Sequence, residues 1–238
     1  MILQLDNTKQ AVYDMKSGGF FMRVDIHSIM RVLRGTAPRW REPVVTEIAK
    51  VNRDPFRILI STLISLRTKD EVTREAADRL FALADTPQAM ADLPREAVEK
   101  AVFPAGFYRN KARTILEVSR TLVERFGGKV PCSLDELLAM KGIGRKTANL
   151  VITMGFGKAG ICVDTHVHRI TNRLGYVTTR SPRETEFALR EILPGEYWIE
   201  INDVLVAFGQ NICKPISPIC SQCPVHQYCA RVGVTVHR

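Results

Sequence analysis

The chain has no long apolar run. Across its 238 residues the longest apolar stretch, Phe56 to Leu66, is interrupted by Arg57, Ser61, Thr62 and Ser65 and is too short to span a bilayer. No apolar h-region follows the start, where Asp6 and Lys9 come early, so no secretory signal is expected. Period-two alternation is scarce, which argues against a sheet protein, and no fixed-period repeat or low-complexity tract appears. Acidic residues are in the minority, 25 against 34 Lys and Arg, for a formal net charge of +9. That surplus says nothing about fold but favours a polyanionic partner such as nucleic acid. Cysteine is thin outside the tail. Cys132 and Cys162 read as small packed residues, whereas Cys213, Cys220, Cys223 and Cys229 all fall within the last 26 residues. Without a signal peptide, such clustering points to metal rather than disulfides, and four thiolates suit zinc or an iron–sulfur cluster.

What is present is helical pattern. With 45% hydrophobic residues, the chain can bury one sizeable core or two small ones. Met22 to Leu33 and Val44 to Val51 are short helical patterns separated by Pro38 and Pro43. Phe56 to Leu66 is apolar on all sides, as a central buried helix is. Thr68-Lys69-Asp70-Glu71 has the form of a capping box opening a helix with Val72, Ala76, Leu80 and Leu83 inward. Pro87 and Pro94 occupy first-turn positions of two short helices. Asn110 to Phe126 carries Ile115, Val118, Leu122 and Phe126 on one face and stops at Gly127-Gly128. Thr165 to Leu174, a Ser181-capped helix running to Leu193, and Trp198 to Ile212 complete the series. The fold class is all-α.

The most informative stretch is Leu137 to Asn149. Ser133-Leu134-Asp135-Glu136 reads as a second capping box, Gly142-Ile143-Gly144 breaks the helix, and Arg145-Lys146-Thr147-Ala148 starts another that Gly155 and Gly157 end. Two helices joined by so short a turn fold back as a hairpin, and the glycines permit the sharp bend. Amides at such a turn and helix start suit an anion such as phosphate.

Met140-Lys141-Gly142-Ile143-Gly144-Arg145-Lys146-Thr147-Ala148 resembles the helix-hairpin-helix of the DNA glycosylase superfamily, in its endonuclease III branch, whose pattern is Leu-Pro-Gly-Val-Gly-Arg-Lys-Thr-Ala. Lys141 replaces the usual proline. With the cysteines, spaced by six, two and five residues, the resemblance covers roughly residues 40 to 230. It implies two helical lobes flanking a DNA cleft: residues 48–158 with the hairpin, and a discontinuous lobe of 22–47 plus 159–238 closed by a C-terminal [4Fe–4S] loop. Residues 1–21 match nothing and read as an N-terminal extension.

The resemblance also implies the chemistry. Lys146 is the nucleophile and Asp164, in Val163-Asp164-Thr165-His166, the catalytic carboxylate, the two facing each other across the cleft. To attack C1′ of an extruded nucleotide, Lys146 must be partly neutral. A free lysine titrates near ~10.4, and burial or a neighbouring cation such as Arg145 brings it toward ~7–8. Asp164 also reads as a plain helix N-cap, a role compatible with the catalytic one. Ser65-Leu66-Arg67-Thr68-Lys69-Asp70 aligns with the family's Ser-Ala-Gln-Ala-Thr-Asp. Ser65 and Asp70 then line the base pocket, and Arg67 stands where a glutamine fills the gap left by the extruded base. Gly106-Phe107-Tyr108-Arg109-Asn110-Lys111-Ala112 aligns with Gly-Leu-Tyr-Asn-Ser-Lys-Ala, which makes Phe107 a wedge in the base stack. Gly142, Ile143, Gly144 and Arg145 grip phosphate, and His166 takes a site role. Cys213, Cys220, Cys223 and Cys229 hold a [4Fe–4S] cluster.

The expected function is a bifunctional DNA glycosylase and abasic-site lyase for oxidised pyrimidines in base excision repair. Its expected partner is double-stranded DNA carrying damaged bases or abasic sites. The chain is expected to be a monomer without a membrane partner, cytoplasmic with the nucleoid if prokaryotic. The rivals are a mismatch glycosylase acting on thymine or uracil opposite guanine or on adenine, and a non-catalytic, metal-stapled DNA-binding module.

Overall fold

The computed structural model describes residues 11–14, 19–22, 24–40 and 42–238. Twelve α-helices dominate the described residues: α1 Ile26–Thr36, α2 Val44–Val51, α3 Pro55–Ser65, α4 Asp70–Leu83, α5 Pro87–Ala91, α6 Arg95–Val102, α7 Tyr108–Phe126, α8 Leu134–Leu138, α9 Arg145–Leu150, α10 Thr165–Leu174, α11 Pro182–Ile192 and α12 Ile201–Asn211. The fold is all-α but for a short ribbon. Strands β1 (Ala11–Asp14) and β2 (Gly19–Met22) pair antiparallel, Ala11 opposite Met22 and Asp14 opposite Gly19. The ribbon falls in the expected N-terminal extension and runs one residue past it, to Met22; residues 1–10 and 15–18 lie outside the described residues. It also corrects the first helix. Met22 belongs to β2, and α1 starts at Ile26 because Asp25 caps it, its carboxylate accepting from Ser28 N at 3.0 Å.

The chain divides into two compact units, one of residues 42–162 and 194–203, the other of 1–41, 163–193 and 204–238. In the first, α3 is the hub. Asp54 caps it through Phe56 N at 2.8 Å and Pro55 pre-sets its first turn. Phe56, Ile58, Leu59, Ile60, Leu63 and Ile64 are all buried around its circumference, and α2, α4, α7 and α9 pack on it. Each such fully buried side chain contributes about 1.5–3 kcal/mol of transfer free energy. Against α7 lie α5 and α6, and α7 ends at Gly127 in left-handed backbone (φ 58°), a conformation glycine adopts without steric cost.

In the second unit, α10 ends at Gly175 (φ 77°), after which Tyr176 N bonds the Thr171 carbonyl at 3.0 Å. The tail returns to that end, Val232 N bonding Arg173 O at 3.0 Å. Ile29, Met30, Leu33, Val167, Ile170, Leu189 and Phe208 are buried in this unit.

Candidate active site

The hairpin consists of α8, a turn and α9. Gly142 bends the turn with φ 91°, and a Cβ there would lie 2.5 Å from Thr114 Cγ2, so both backbone and space require glycine. Gly144 is different: it is the N-cap of α9 in extended backbone, and open space surrounds its missing Cβ. The capping-box reading upstream is corrected. Ser133 is the N-cap of α8, but its side chain accepts no cap hydrogen bond, and α8 is only five residues long. Ile143 is 6% exposed, its side chain in the core, so any contact it makes with a partner falls to its backbone. Arg145 and Lys146 are half-buried.

Lys146 is the second residue of α9. Beneath it, buried Cys162 directs its thiol at the Lys146 carbonyl from 3.6 Å, and Asn202 Nδ2 donates to Cys162 O at 3.2 Å. Cys162 is thus packing for the lysine's backbone. Beyond Leu150 the helix widens into a single π turn over Val151–Gly155, with Phe156 N bonded to Val151 O at 3.3 Å. Such turns recur near functional sites.

In the other unit, Asp164 is the N-cap of α10. Its Oδ1 accepts from His166 N at 2.8 Å and Val167 N at 2.9 Å, while His166 Nδ1 lies 2.9 Å from Oδ2. The carboxylate is 8% exposed as a residue and sits where the helix dipole favours negative charge. The plain capping role is therefore real, and it fixes the group's direction. His166 has a seat of its own: a Cβ on Gly209 would lie 2.6 Å from its Cδ2. His168 faces elsewhere, bonding Thr185 Oγ1 at 2.7 Å.

The two loops assigned to the base stack lie side by side in the first unit. Arg67 (φ 54°) and Phe107 (φ 59°) both carry left-handed backbone. Phe107 is 62% exposed, and the Arg67 guanidinium carbon stands 5.7 Å from its ring centroid, within cation–π range. Ser65 spends its hydroxyl on Thr62 O at 2.8 Å, and Asp70 opens α4. The capping box expected at Thr68 is also corrected, since the N-cap of α4 is Lys69, not Thr68. The Thr68 hydroxyl is diverted to a partner far away in sequence. Lys111, 8% exposed, donates to it at 2.5 Å and to Ile64 O at 2.6 Å. Burial pushes this ammonium down to about 8. Sequence pattern offers Thr68 only a helix cap and Lys111 no site role, yet one signal is legible: Lys111 falls in line with Ile115, Val118 and Leu122 on the apolar stripe of α7.

Cys213, Cys220, Cys223 and Cys229 line one pocket with Ile170, Leu174 and Phe208. Burial raises the thiols of Cys220, Cys223 and Cys229, Cys223 to about 11, and neighbouring cysteines reinforce the shift. Amide and guanidinium donors reach the sulfurs: Arg173 Nη1 to Cys213 Sγ at 3.5 Å and Arg231 N to Cys229 Sγ at 3.4 Å. Among the described residues no three His, Cys, Asp or Glu side chains converge as a single-ion site.

Comparison with known proteins decides the family. Residues 60–195 match the HhH-GPD superfamily of base excision DNA repair proteins. The chain is 52% identical to endonuclease III of Thermotoga maritima over 176 residues, 74% of this chain and 83% of that one. The chain belongs to the HhH-GPD superfamily, in its endonuclease III branch. It is also 42% identical to endonuclease III homolog 1, chloroplastic, of Arabidopsis thaliana, covering 73% of this chain but only about half of that longer protein (48%). Among solved structures, a trapped endonuclease III–DNA covalent intermediate, an estranged-adenine complex, matches with TM-score 0.75 and 35% identity over 86% of this chain and 95% of that one.

Proposed function

We propose that this endonuclease III-branch chain is a bifunctional DNA glycosylase and abasic-site lyase that removes oxidised pyrimidines. The observation that carries the reading is Lys146 at the start of α9, directly after the Gly142–Gly144 turn, in a chain whose structural relative forms a trapped covalent adduct with DNA. The Lys146 amine attacks C1′ of an extruded nucleotide, and the glycosidic C–N bond breaks as the base leaves with a proton. The C1′–O4′ bond then breaks, O4′ taking up a proton as the sugar ring opens, and the iminium so formed acidifies the C2′ proton, whose loss expels the 3′ phosphate by β-elimination. Asp164, fixed by two amides of α10, stabilises the positive charge that develops on the sugar.

The four tail cysteines fit a [4Fe–4S] cluster. Four thiols line one pocket and N–H donors are aimed at two of them, the kind of donor that surrounds the sulfurs of iron–sulfur centres. When bound, the cluster ties the tail to the end of α10. Double-stranded DNA with damaged bases or abasic sites is the partner, consistent with the +9 net charge.

Borohydride reduction in the presence of lesion-bearing duplex tests the reading. It is expected to trap a covalent protein–DNA adduct, and Lys146→Ala to abolish it. An adduct that persists in the variant moves the nucleophile elsewhere and overturns the assignment.

A further inference from the structure

The turn that follows α3 and the turn that precedes α7 are joined by one part-buried junction. Thr68 Oγ1 accepts from Lys111 Nζ at 2.5 Å and from Gly106 N at 3.2 Å, and its own proton points to Leu66 O at 3.4 Å. That saturates a hydroxyl, which has one donor and two acceptor positions. Lys111 Nζ also takes the Ile64 carbonyl at the end of α3. The turns touch directly as well, since a Cβ on Gly106 would lie 2.6 Å from the Arg67 carbonyl oxygen.

The cost of this arrangement is visible. A lysine is seldom buried without a carboxylate, and both partners of Lys111 are neutral oxygens. Four non-glycine residues among those described have left-handed backbone, and the two in this unit are Arg67 and Phe107. Strain of this kind persists only where the surroundings over-determine it. Here the surroundings are the Lys111–Thr68–Gly106 junction, which lies directly beneath both residues. A helix cap for α4 would have been the local use of Thr68, and the fold forgoes it.

We propose that Lys111 and Thr68 are positioning residues that lock the Arg67 and Phe107 turns into one rigid insertion element, so that the two exposed side chains enter the base stack as a single two-pronged wedge. This rests on the glycosylase reading for what the wedge enters, but the coupling itself is a property of the free protein. Arg67 stacked on Phe107 presents an aromatic face and a cation together. Neither side chain can be withdrawn without loosening the other turn.

The test uses the full-length protein and two substitutions that remove the junction without changing shape much, Thr68→Val and Lys111→Met, with Thr68→Ser as the conservative rescue. Amide hydrogen exchange of the free protein is expected to speed up in residues 65–69 and 105–108 together in both variants, with the centres of α3 and α7 unchanged and Thr68→Ser like the parent. Exchange that rises in one turn alone, or in neither, overturns the coupling. On duplex DNA with a paired lesion, single-turnover base release is expected to fall roughly tenfold to a hundredfold. Cleavage at a pre-formed abasic site, where no base remains to be displaced, is expected to fall much less. In an Arg67→Ala or Phe107→Ala background Thr68→Val is expected to add little, because the prongs it aligns are gone. Equal losses on both substrates, or full additivity, overturn the positioning role. A parent protein that releases no base from any lesion overturns the glycosylase reading, while the exchange pattern still decides the coupling.

Discussion

His166 meets Asp164 twice: its backbone N–H bonds Oδ1 at 2.8 Å and its ring Nδ1 lies 2.9 Å from Oδ2. One residue thereby fixes both oxygens of the carboxylate, and Gly209 leaves the room that the imidazole needs. Capping and catalysis separate under substitution. Asparagine is as good an N-cap as aspartate, so Asp164→Asn is expected to melt close to the parent while single-turnover base release falls by about 10²–10³. Asp164→Ala is expected to lose the rate and also about 1 kcal/mol of stability. His166→Ala, which keeps both amide bonds and loses only the ring, is expected to cost roughly tenfold in rate with little change in melting. An unaltered rate in Asp164→Asn would leave the residue with a capping role alone.

Gly142 and Gly144 look equivalent in the motif and are not equivalent in the fold. Gly142→Ala must hold φ 91° with a Cβ 2.5 Å from Thr114 Cγ2, and a loss of about 1–3 kcal/mol is expected from backbone strain alone. Gly144→Ala meets open space in extended backbone and is expected to lose less, about 0.5–1 kcal/mol, the cost of alanine in place of glycine at an N-cap. Urea titration of the two variants compares them directly. Adding Thr114→Ser to Gly142→Ala is expected to recover part of the loss, because it removes the methyl that collides but not the dihedral cost. Equal stability of the two glycine variants would contradict this account of the turn.

The cysteine pocket gives a third expectation. Burial, reinforced by the neighbouring cysteines, raises the Cys223 thiol to about 11, and a bound metal must displace its proton. Protein purified without oxygen is expected to contain iron and acid-labile sulfide in equal amounts. Cys223→Ser is expected to lose both and to melt earlier, through release of the tail from Arg173 and Leu174, where Val232 N and Ala230 N now bond. Zinc in place of iron would remove the cluster from the reading.

Legibility followed the range of the forces. Helix α2 appears at Val44–Val51 and α10 at Thr165–Leu174, where their patterns place them, because Pro43, Asp164 and Gly175 are local signals acting within a turn. The buried circumference of α3 was likewise readable from unbroken hydrophobicity. Failures came where a distant partner outbid a near one. Thr68 has the sequence of a cap, but a lysine 43 residues away captures its hydroxyl. Met22 continues an apolar pattern into α1, but its backbone pairs with Ala11. At the candidate site it was the resemblance to the endonuclease III branch that named Lys146 and Asp164, whereas the double hold of His166 on the carboxylate depends on Gly209, which no local pattern connects to it.

Asp203 offers a test of buried charge apart from the chemistry. Its carboxylate accepts from Thr46 Oγ1 at 2.9 Å, and burial, reinforced by Glu42 and Glu200, raises it to about 6 from 3.8, against the opposing pull of Thr46 and Lys50. A carboxyl whose folded value lies above its unfolded value binds more protons in the native state between the two. Its burial therefore costs nothing below about pH 4, and the cost grows as pH rises through the window from 3.8 to about 6. Above that window it amounts to about 2–3 kcal/mol, at 1.36 kcal/mol for each pH unit. Asp203→Asn keeps the acceptor for Thr46 and removes the titration. Whatever offset its amide introduces is independent of pH, so the stability difference between variant and parent is expected to move by about 2–3 kcal/mol in the variant's favour from pH 4 to pH 7. Urea unfolding at the two pH values measures that double difference, and a flat result would show that water reaches the carboxylate in the folded state.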